Sequence, residues 1–545
     1  SNSSYKKHIK NRSKFINERK GSISPDALHV LASNDQNQSP DIKEVLDDLD
    51  KVNTDAKVIT RIAPSPTGFA HIGFLRTALY NYLFAKKHNG IFYVRIEDTD
   101  QKRFVKEAEE YIKNALEWCG LIPDWAPWIE GSPNGPYRQS ERDYTKEIKT
   151  LLNNGNAYYA FDTEKDLTEA REKNPNFSYS ASNRMSMKNS LSLSKEEVDK
   201  LLSEKHPYVI RFKVEPNKTI IVDDIIRGKV QMNTNQTDDK VLIKSNGIPT
   251  YHFANVCDDH NMGTTHVIRG DEWLPSAPLH LMLYNAFGWI APQFAHLPVI
   301  LNPDGKGKLS KRKALSLGIP AFPFGGKGLD DKGQEVEYKG FKDEGFEPDA
   351  LLNFLVMLGW SAKDDKELLT MADMISEFSL DRVHKAGARY DIAKAKFFNQ
   401  SYINNFRSED ELLKHIDFGS SNFSPENKSK IIDIAKKRSV FVKDMQSIVD
   451  IFTQKVSITS DMKRRISEEF KSVVNDIVSK SKDIEWKDDS IKQMIFDICE
   501  SKSIKMGKIM PSLRILLTGD VPGPDLMTTS EILGRDEFIN RISNL

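Results

Sequence analysis

The sequence predicts an α/β protein: a parallel sheet built on a βαβ unit, split by an inserted α+β segment and followed by a long all-α region. Three observations carry this. A β-branched run, Lys57-Val-Ile-Thr-Arg-Ile62, then a helix-patterned segment, then the apolar run Ile91-Phe-Tyr-Val-Arg-Ile96 follow one another as strand, helix, strand. From about 140 to 250 helical patterns alternate with short strand-like runs. Beyond about 345 the chain is Lys-rich and helical in pattern nearly to its end. At 545 residues it exceeds what one core supports, and domains of about 100 to 200 residues imply roughly three to five.

The elements follow in order. Residues 1–56 are polar and read as an arm, with a short helix at Asp41–Leu49. The first strand stops at Ala63-Pro-Ser-Pro-Thr-Gly68, where two prolines and a glycine forbid regular structure. Leu75, Ala78, Leu79, Tyr82 and Leu83 recur at helical spacing, and Gly90 stands where a helix C-cap belongs. Strand signals follow at 208–214, 219–223 and 229–232, then at Thr250–Val256 and His266–Arg269, before an amphipathic helix from Pro278 to Phe287.

Composition excludes some classes. Lys+Arg and Asp+Glu both number 78, so net charge argues neither for nor against nucleic acid, and any basic surface is local. Charged residues make up 29%, and no stretch approaches the roughly 18 apolar residues of a membrane span. Cys119, Cys257 and Cys499 form no CxxC pair and no disulfide framework, which fits a reducing cytoplasm. The first twenty residues are basic but lack the apolar segment of a signal peptide.

Ligands of open parallel sheets sit beyond the carboxyl ends of the strands, and the residues after Ile62 and after Ile96 fall there. His71-Ile72-Gly73 opens the helix after the PSPTG loop, where free backbone N–H groups and the positive dipole end suit phosphate. Gly73 leaves room for a nucleotide against the backbone. A cationic loop, Gly305-Lys-Gly-Lys308-Leu-Ser-Lys311-Arg-Lys313, offers ammonium groups able to follow a departing pyrophosphate. Alone, each has a plain alternative: His71 as a capping residue, the lysines as a solvated turn.

Together, RIAPSPTGFAHIG and KLSKR closely resemble the ATP-binding HIGH-type and KMSKS-type motifs of glutamyl-tRNA synthetases. The resemblance extends through FYVRIEDTD (92–100), GPYRQSER (135–142), PTYHFANVCDD (249–259) and IRGDEW (268–273), and covers roughly 57–545. It implies a Rossmann-like catalytic domain in two halves, 57–140 and 251–306, around an inserted acceptor-end-binding domain, 141–250. It further implies a KLSKR loop and stem-contact domain, 307–408, and a helical anticodon-binding region, 409–545. The implied reaction activates L-glutamate with ATP to glutamyl-adenylate and transfers it to the 3′-terminal adenosine of tRNA(Glu).

By the same resemblance Arg61, Ser65, Glu97, Tyr251, Asn255 and Arg269 surround glutamate. His71, Gly73, Glu272, Trp273, Lys308 and Lys311 serve ATP, with His71, Lys308 and Lys311 catalytic. Asp100 and Arg438 meet the RNA. An arginine clamps a carboxylate bidentately, although Arg61 reads equally well as a member of a structural ion pair, and Trp273 as core. Lys436-Lys-Arg438 reads as well as a solvated helix face. Mg²⁺ is expected with ATP, held mostly by phosphates and water. No zinc is expected, because no Cys lies between 119 and 257. A cytoplasmic monomer without membrane attachment is expected. The segment 314–340 reads as an insertion able to alter the mobility of the KLSKR loop. Three other readings compete. A glutaminyl-tRNA synthetase is expected to carry β-barrels where this chain is helical, the shortened relative that glutamylates a tRNA base lacks the anticodon region, and a noncatalytic homologue has no need of both motifs.

Overall fold

The computed structural model describes residues 57–545, and the arm with its expected helix at Asp41–Leu49 lies outside the described residues. The chain divides into two compact units, one of residues 57–342 and 352–391, the other of 343–351 and 392–545.

In the first unit, β1 (Ile59–Ile62) runs parallel to β2 (Ile91–Val94), with α1 (Ile72–Lys87) between them. Helix α1 buries Leu75, Ala78, Leu79 and Leu83, the stripe the spacing predicts, while Tyr82 is only partly buried. Its end differs from expectation. Asn89 takes the left-handed conformation (φ 50°), and Gly90 serves close packing instead, since a Cβ there would lie 2.1 Å from the Val58 carbonyl oxygen.

The inserted segment supplies two sheets. Antiparallel strands β3 (Ala157–Ala160), β4 (Val209–Phe212) and β7 (Val241–Ile243) form one by themselves. The hairpin β5 (Thr219–Asp224) and β6 (Gly228–Asn233) instead continues the main sheet, in the order β6-β5-β9-β8. There β8 (His266–Gly270) and β9 (Gln293–Leu297) are parallel, and β8 is joined to β1 through the Thr265 N–H, which donates to Ile59 O at 2.9 Å.

The small sheet is held by a polar core. Asp239, wholly buried, accepts from Tyr158 Oη at 2.6 Å, Arg184 Nη1 at 2.9 Å and the Val214 N–H at 3.0 Å. An Asp239→Ala substitution strands the buried Arg184 guanidinium and is expected to cost about 3–5 kcal/mol, read as a lowered urea midpoint for this unit.

The expected strand at Thr250–Val256 is a helix, α2 (Tyr251–Asn261). An apolar run of this length does not distinguish the two states. The tertiary setting decides: as a helix it buries Phe253, Ala254, Val256 and Cys257 against α3 (Ala277–Phe287) while turning Tyr251, Asn255, Asp258 and Asp259 to one other side. Beyond α3, β10 (Ile300–Leu301) leads to a turn and to α4 (Lys311–Leu317). The segment expected to be an insertion forms a hairpin, β11 (Gly326–Leu329) and β12 (Glu335–Tyr338), and strand β13 (Ala388–Arg389) pairs with β10.

The second unit is helical. Its helices α5 (Ile392–Phe406), α6 (Pro425–Arg438), α7 (Val442–Thr453), α8 (Glu468–Lys480), α9 (Asp488–Ser501), α10 (Met510–Thr518), α11 (Leu526–Leu533) and α12 (Arg535–Ile542) share one core. Helical spacing builds it: Phe470, Val473 and Ile477 of α8 meet Ile491, Ile495 and Ile498 of α9. Arg541 ties α12 down, donating to Ile451 O at 2.7 Å and Leu517 O at 2.6 Å. Among the described residues no helix is long and apolar enough to cross a membrane.

Candidate active site

A cavity of about 600 Å³ opens at the carboxyl ends of β1, β2, β8 and β9, where the sheet's connections diverge. All thirteen positions predicted in this half of the chain line it: Arg61, Ser65, His71, Gly73, Glu97, Asp100, Tyr251, Asn255, Arg269, Glu272, Trp273, Lys308 and Lys311. Arg438 belongs to the helical unit, at the exposed end of α6, its guanidinium against Gly523.

At the floor, three cations meet three carboxylates. Arg61 makes a two-pronged pair with Asp259, Nε to Oδ1 at 2.9 Å and Nη2 to Oδ2 at 2.7 Å. Arg95, fully buried on the chain after β2, donates to Asp259 Oδ1 at 2.9 Å and to Glu97 Oε1 at 3.1 Å. Arg142 Nε lies 2.7 Å from Asp258 Oδ1. Burial alone would raise the Asp259 carboxyl, but the guanidiniums of Arg61 and Arg95 overcome it and hold it below the usual carboxylate range. Of the two roles read for Arg61, the ion pair is the one seen.

Glu97 is placed differently. Gln139 Nε2 and Asn255 Nδ2, each at 3.4 Å, join Arg95 on its Oε1, so among the described residues its donors all go to one oxygen. Burial raises this carboxyl above its ordinary range against the pull of Arg95. Oε2 is left for a cationic ligand.

Arg269 is the counterpart. Buried at the end of β8, it has no carboxylate partner among the described residues, and its Nη2 has no hydrogen-bond partner. Tyr251 Oη lies 3.4 Å from its Nη1, and the Tyr251 ring stacks on Trp273 with centroids 4.2 Å apart. Trp273 is only partly buried, so it walls the cavity rather than filling the core. Burial pushes the Tyr251 hydroxyl up to about 12, keeping it a neutral donor.

At the other end His71 caps α1. The amides expected to be free for phosphate are occupied: Ile72 N–H donates to Ala321 O at 2.8 Å, Gly73 N–H to His71 Nδ1 at 2.8 Å, and Phe74 N–H to His71 O at 3.0 Å. Nor does Gly73 leave open space, since a Cβ there would come within 2.4 Å of His71 Cε1. The glycine makes room for the imidazole. Because Nδ1 accepts, the proton sits on Nε2, and His71 is a neutral donor. Burial, reinforced by Lys311, pushes it down to about 4.

Two predictions follow from this cap. A Gly73→Ala side chain displaces the imidazole, which the sequence resemblance assigns to ATP, and on that assignment is expected to raise the KM for ATP about tenfold or more, with the glutamate KM little changed. The pH dependence has a definite sign. A depressed histidine favours the neutral folded form, so its stabilising cap is fully present above the ordinary value near 6.5 and is lost as pH falls toward 4. Thermal melts of wild type against His71→Gln between those limits are expected to converge at the acid end.

Lys308 and Lys311 supply the positive charge at this end. The turn between β10 and Lys308 is closed by Asn302 N–H to Gly307 O at 3.0 Å, and Ser310 caps α4 through the Lys313 N–H at 3.1 Å. Lys311 thus stands at a helix start rather than in a loop. Burial lowers its ammonium below the usual value. Lys308, half-exposed, lies 3.6 Å from Glu272. The hairpin grips this helix: Ser316 hydrogen-bonds Asp331, and Lys313 lies 3.9 Å from the same carboxylate.

Sequence reasoning missed Arg95, Gln139, Asp258, Asp259, His280 and His296. Arg95, in an otherwise apolar strand run, was the visible signal, because a buried charge there requires partners.

The family model described as "tRNA synthetases class I (E and Q), catalytic domain" matches residues 57–319, and "Anticodon binding domain" matches 401–545. The glutamate–tRNA ligase of Christiangramia forsetii is 45% identical over 499 residues, covering 89% of this chain and 98% of that one. That of Flavobacterium johnsoniae is 45% identical over 498 residues with the same coverage. A crystal structure of a glutamate tRNA ligase from Elizabethkingia meningosepticum, in complex with its amino acid, superposes with a TM-score of 0.79 at 45% identity over 89% of this chain and 98% of that one. The glutamate–tRNA synthetase of Elizabethkingia anophelis gives 0.76 at 46% identity, covering 89% and 99%. With identity at this level sustained across both parts of the chain, this protein belongs to the glutamate–tRNA ligase family of class I tRNA synthetases.

Proposed function

We propose that the cavity on the first unit is where this chain performs the glutamate–tRNA ligase reaction. Glutamate's α-carboxylate attacks the α-phosphorus of ATP, giving glutamyl-adenylate and pyrophosphate. The terminal adenosine of the tRNA then takes the acyl group and AMP leaves. Both partners of the first step are anions, so placement and charge supply the catalysis, without a protein nucleophile.

The observation that carries the reading is Arg269, whose Nη2 is a buried donor without a partner among the described residues, lining the same cavity as Glu97, whose Oε2 takes no donor there. An amino acid with an extra carboxylate satisfies both: carboxylate on Arg269, ammonium on Glu97. Tyr251, Asn255, Ser65 and Arg61 complete that subsite, Arg61 chiefly by holding Asp259. His71 Nε2–H, Lys308 and Lys311 take the phosphates, with Gly73 and Glu272 shaping the wall and Trp273 flanking the nucleotide. Magnesium, when bound with ATP, would neutralise phosphate charge, held mostly by phosphate and water.

A second cavity of about 880 Å³, lined by Asp98, Thr99, Tyr144, His206, Tyr208 and Lys244, joins the first through shared residues Thr99, Gln139, Lys244 and Pro249. It offers the acceptor end a route to the adenylate, with Asp100 at the junction. Arg438 is assigned to the anticodon side, and the enzyme is taken to be a cytoplasmic monomer.

The test is transfer of radiolabelled glutamate to purified tRNA with ATP and Mg²⁺, with glutamine as a competing substrate and with a tRNA(Glu) lacking its anticodon loop alongside. Glutamate is expected on the intact tRNA and glutamine on none. Attachment of glutamine, or no charging at all, overturns the reading.

A further inference from the structure

Arg269 and four further side chains form one continuous row. Asp224 Oδ2, at the end of β5, lies 2.5 Å from His296 Nδ1. His296 Nε2 accepts from Arg269 Nε at 3.1 Å. Arg269 Nη1 lies 3.1 Å from His280 Nδ1, and His280 Nε2 lies 2.9 Å from His252 Nδ1. Four of the five are at most 4% exposed, and β5, β8, β9, α2 and α3 each contribute one residue.

The arginine gives the row a direction. A guanidinium only donates, so His296 Nε2 and His280 Nδ1 must both be bare acceptors. His296 therefore carries its proton on Nδ1 and donates it to Asp224. His280 carries its proton on Nε2 and donates it to His252. A second proton on either ring would face an arginine N–H. Burial and the charge of Arg269 hold His280 well below its ordinary value, and burial pushes His252 down to about 4.

The contrast with Arg61 shows what this arrangement does. Asp259 orients Arg61 equally firmly but cancels its charge. The histidines orient Arg269 and cancel nothing. We infer that His280 and His296 are positioning residues that make the subsite selective for a carboxylate, fixing the guanidinium plane through Nε and Nη1 while leaving Nη2 and the charge for the substrate. A carboxamide of the same shape can accept one hydrogen bond from Nη2 but brings no charge to it. The row therefore favours glutamate over glutamine. This rests on the assignment of Arg269 to the glutamate subsite.

The test compares His280→Gln and His280→Glu in the full chain by glutamate transfer to tRNA, with KM measured for glutamate and ATP and with glutamine as competitor. Gln retains a neutral acceptor and is expected to keep the glutamate KM within about threefold. Glu supplies an internal counter-charge and is expected to raise it about 30- to 100-fold, to narrow the preference over glutamine, and to leave the ATP KM unchanged. If H280E does not accumulate as folded protein, His280→Met replaces the ring acceptor by a much weaker thioether one at similar volume and is expected to raise the glutamate KM about tenfold. An unchanged glutamate KM in H280E or H280M, or equal rises for glutamate and ATP, overturns the inference. Loss of glutamate affinity in R269A with none in these variants sinks only the role of the histidines, whereas an unaffected R269A sinks the assignment of the arginine itself.

Discussion

An Arg269→Ala enzyme is expected to lose about 10³-fold or more in kcat/KM for glutamate with the ATP KM close to wild type, and with a melting temperature lowered by the two histidine acceptors left unpaired. Two facts set that size. Its Nη2 is already without a partner in the folded protein, so removal of the side chain leaves no carboxylate stranded within the chain. In the proposed subsite the affected contact is a buried, charge-assisted one with the substrate, and sites that lose such a contact discriminate by several powers of ten. Arg269→Lys is expected to recover little, since an ammonium cannot reach His280, His296 and a ligand along one plane. Steady-state aminoacylation over a range of glutamate concentrations, beside a thermal melt, checks both. Arg61→Ala is expected to behave differently. It leaves Asp259 with Arg95 on Oδ1 and nothing on Oδ2 among the described residues, so about 1–3 kcal/mol of stability goes with it, and a lowered melting temperature precedes any specific effect on glutamate.

This difference between two arginines marks the limit of what the sequence alone conveys. Arg61 and Arg269 both precede a strand's carboxyl end, where a ligand arginine belongs, and nothing local says which one has a partner. Asp259, 198 residues away from Arg61, decides it. The same holds for α2. The run TYHFANV has strand-like composition, and only its burial against α3 and the requirement to turn Tyr251, Asn255 and Asp259 toward the site make it a helix. By contrast, β1, α1, β2, β8, α3 and the helical second unit were legible because hydrophobic period and turn residues agree there.

Site residues were legible to the extent that they stand in short strings with few interpretations, and thirteen of them do line one cavity. What stayed hidden was the layer behind. His280 sits on an apolar helix and His296 in a buried strand, positions where a histidine usually means packing. Their part emerges only when α3 and β9 bring them to either side of one guanidinium. The amides of α1 show the reverse error: the sequence pattern is that of an anion-binding helix start, but His71 and Ala321 occupy those donors, so phosphate must be met by side chains.

That consequence sizes the second large effect. With the α1 amides occupied, the proposed cationic phosphate ligands are Lys308 and Lys311, whose charges both act on His71, and Lys308 shares its charge with Glu272. Lys311 has no carboxylate partner of this kind among the described residues. Its Nζ lies close to the PSPTG loop, 3.5 Å from where a Cβ on Gly68 would stand, and its charge helps depress His71. A partly desolvated ammonium fixed at a helix start stabilises charge developing on the departing pyrophosphate more than charge already present on ATP. Lys311→Ala is therefore expected to lower kcat for adenylate formation about 10²- to 10³-fold, with smaller changes in the KM for ATP and none for glutamate. Lys308→Ala, removing a cation already shared with Glu272, is expected to cost about tenfold. Because Ser310 and not Lys311 caps α4, the helix survives the substitution, and a melting temperature within about 2 °C of wild type separates lost catalysis from lost fold. Single-turnover measurement of adenylate formation reads the step directly; a Lys311→Ala rate equal to wild type would remove this lysine from the chemistry and leave the transition state to Lys308 and His71.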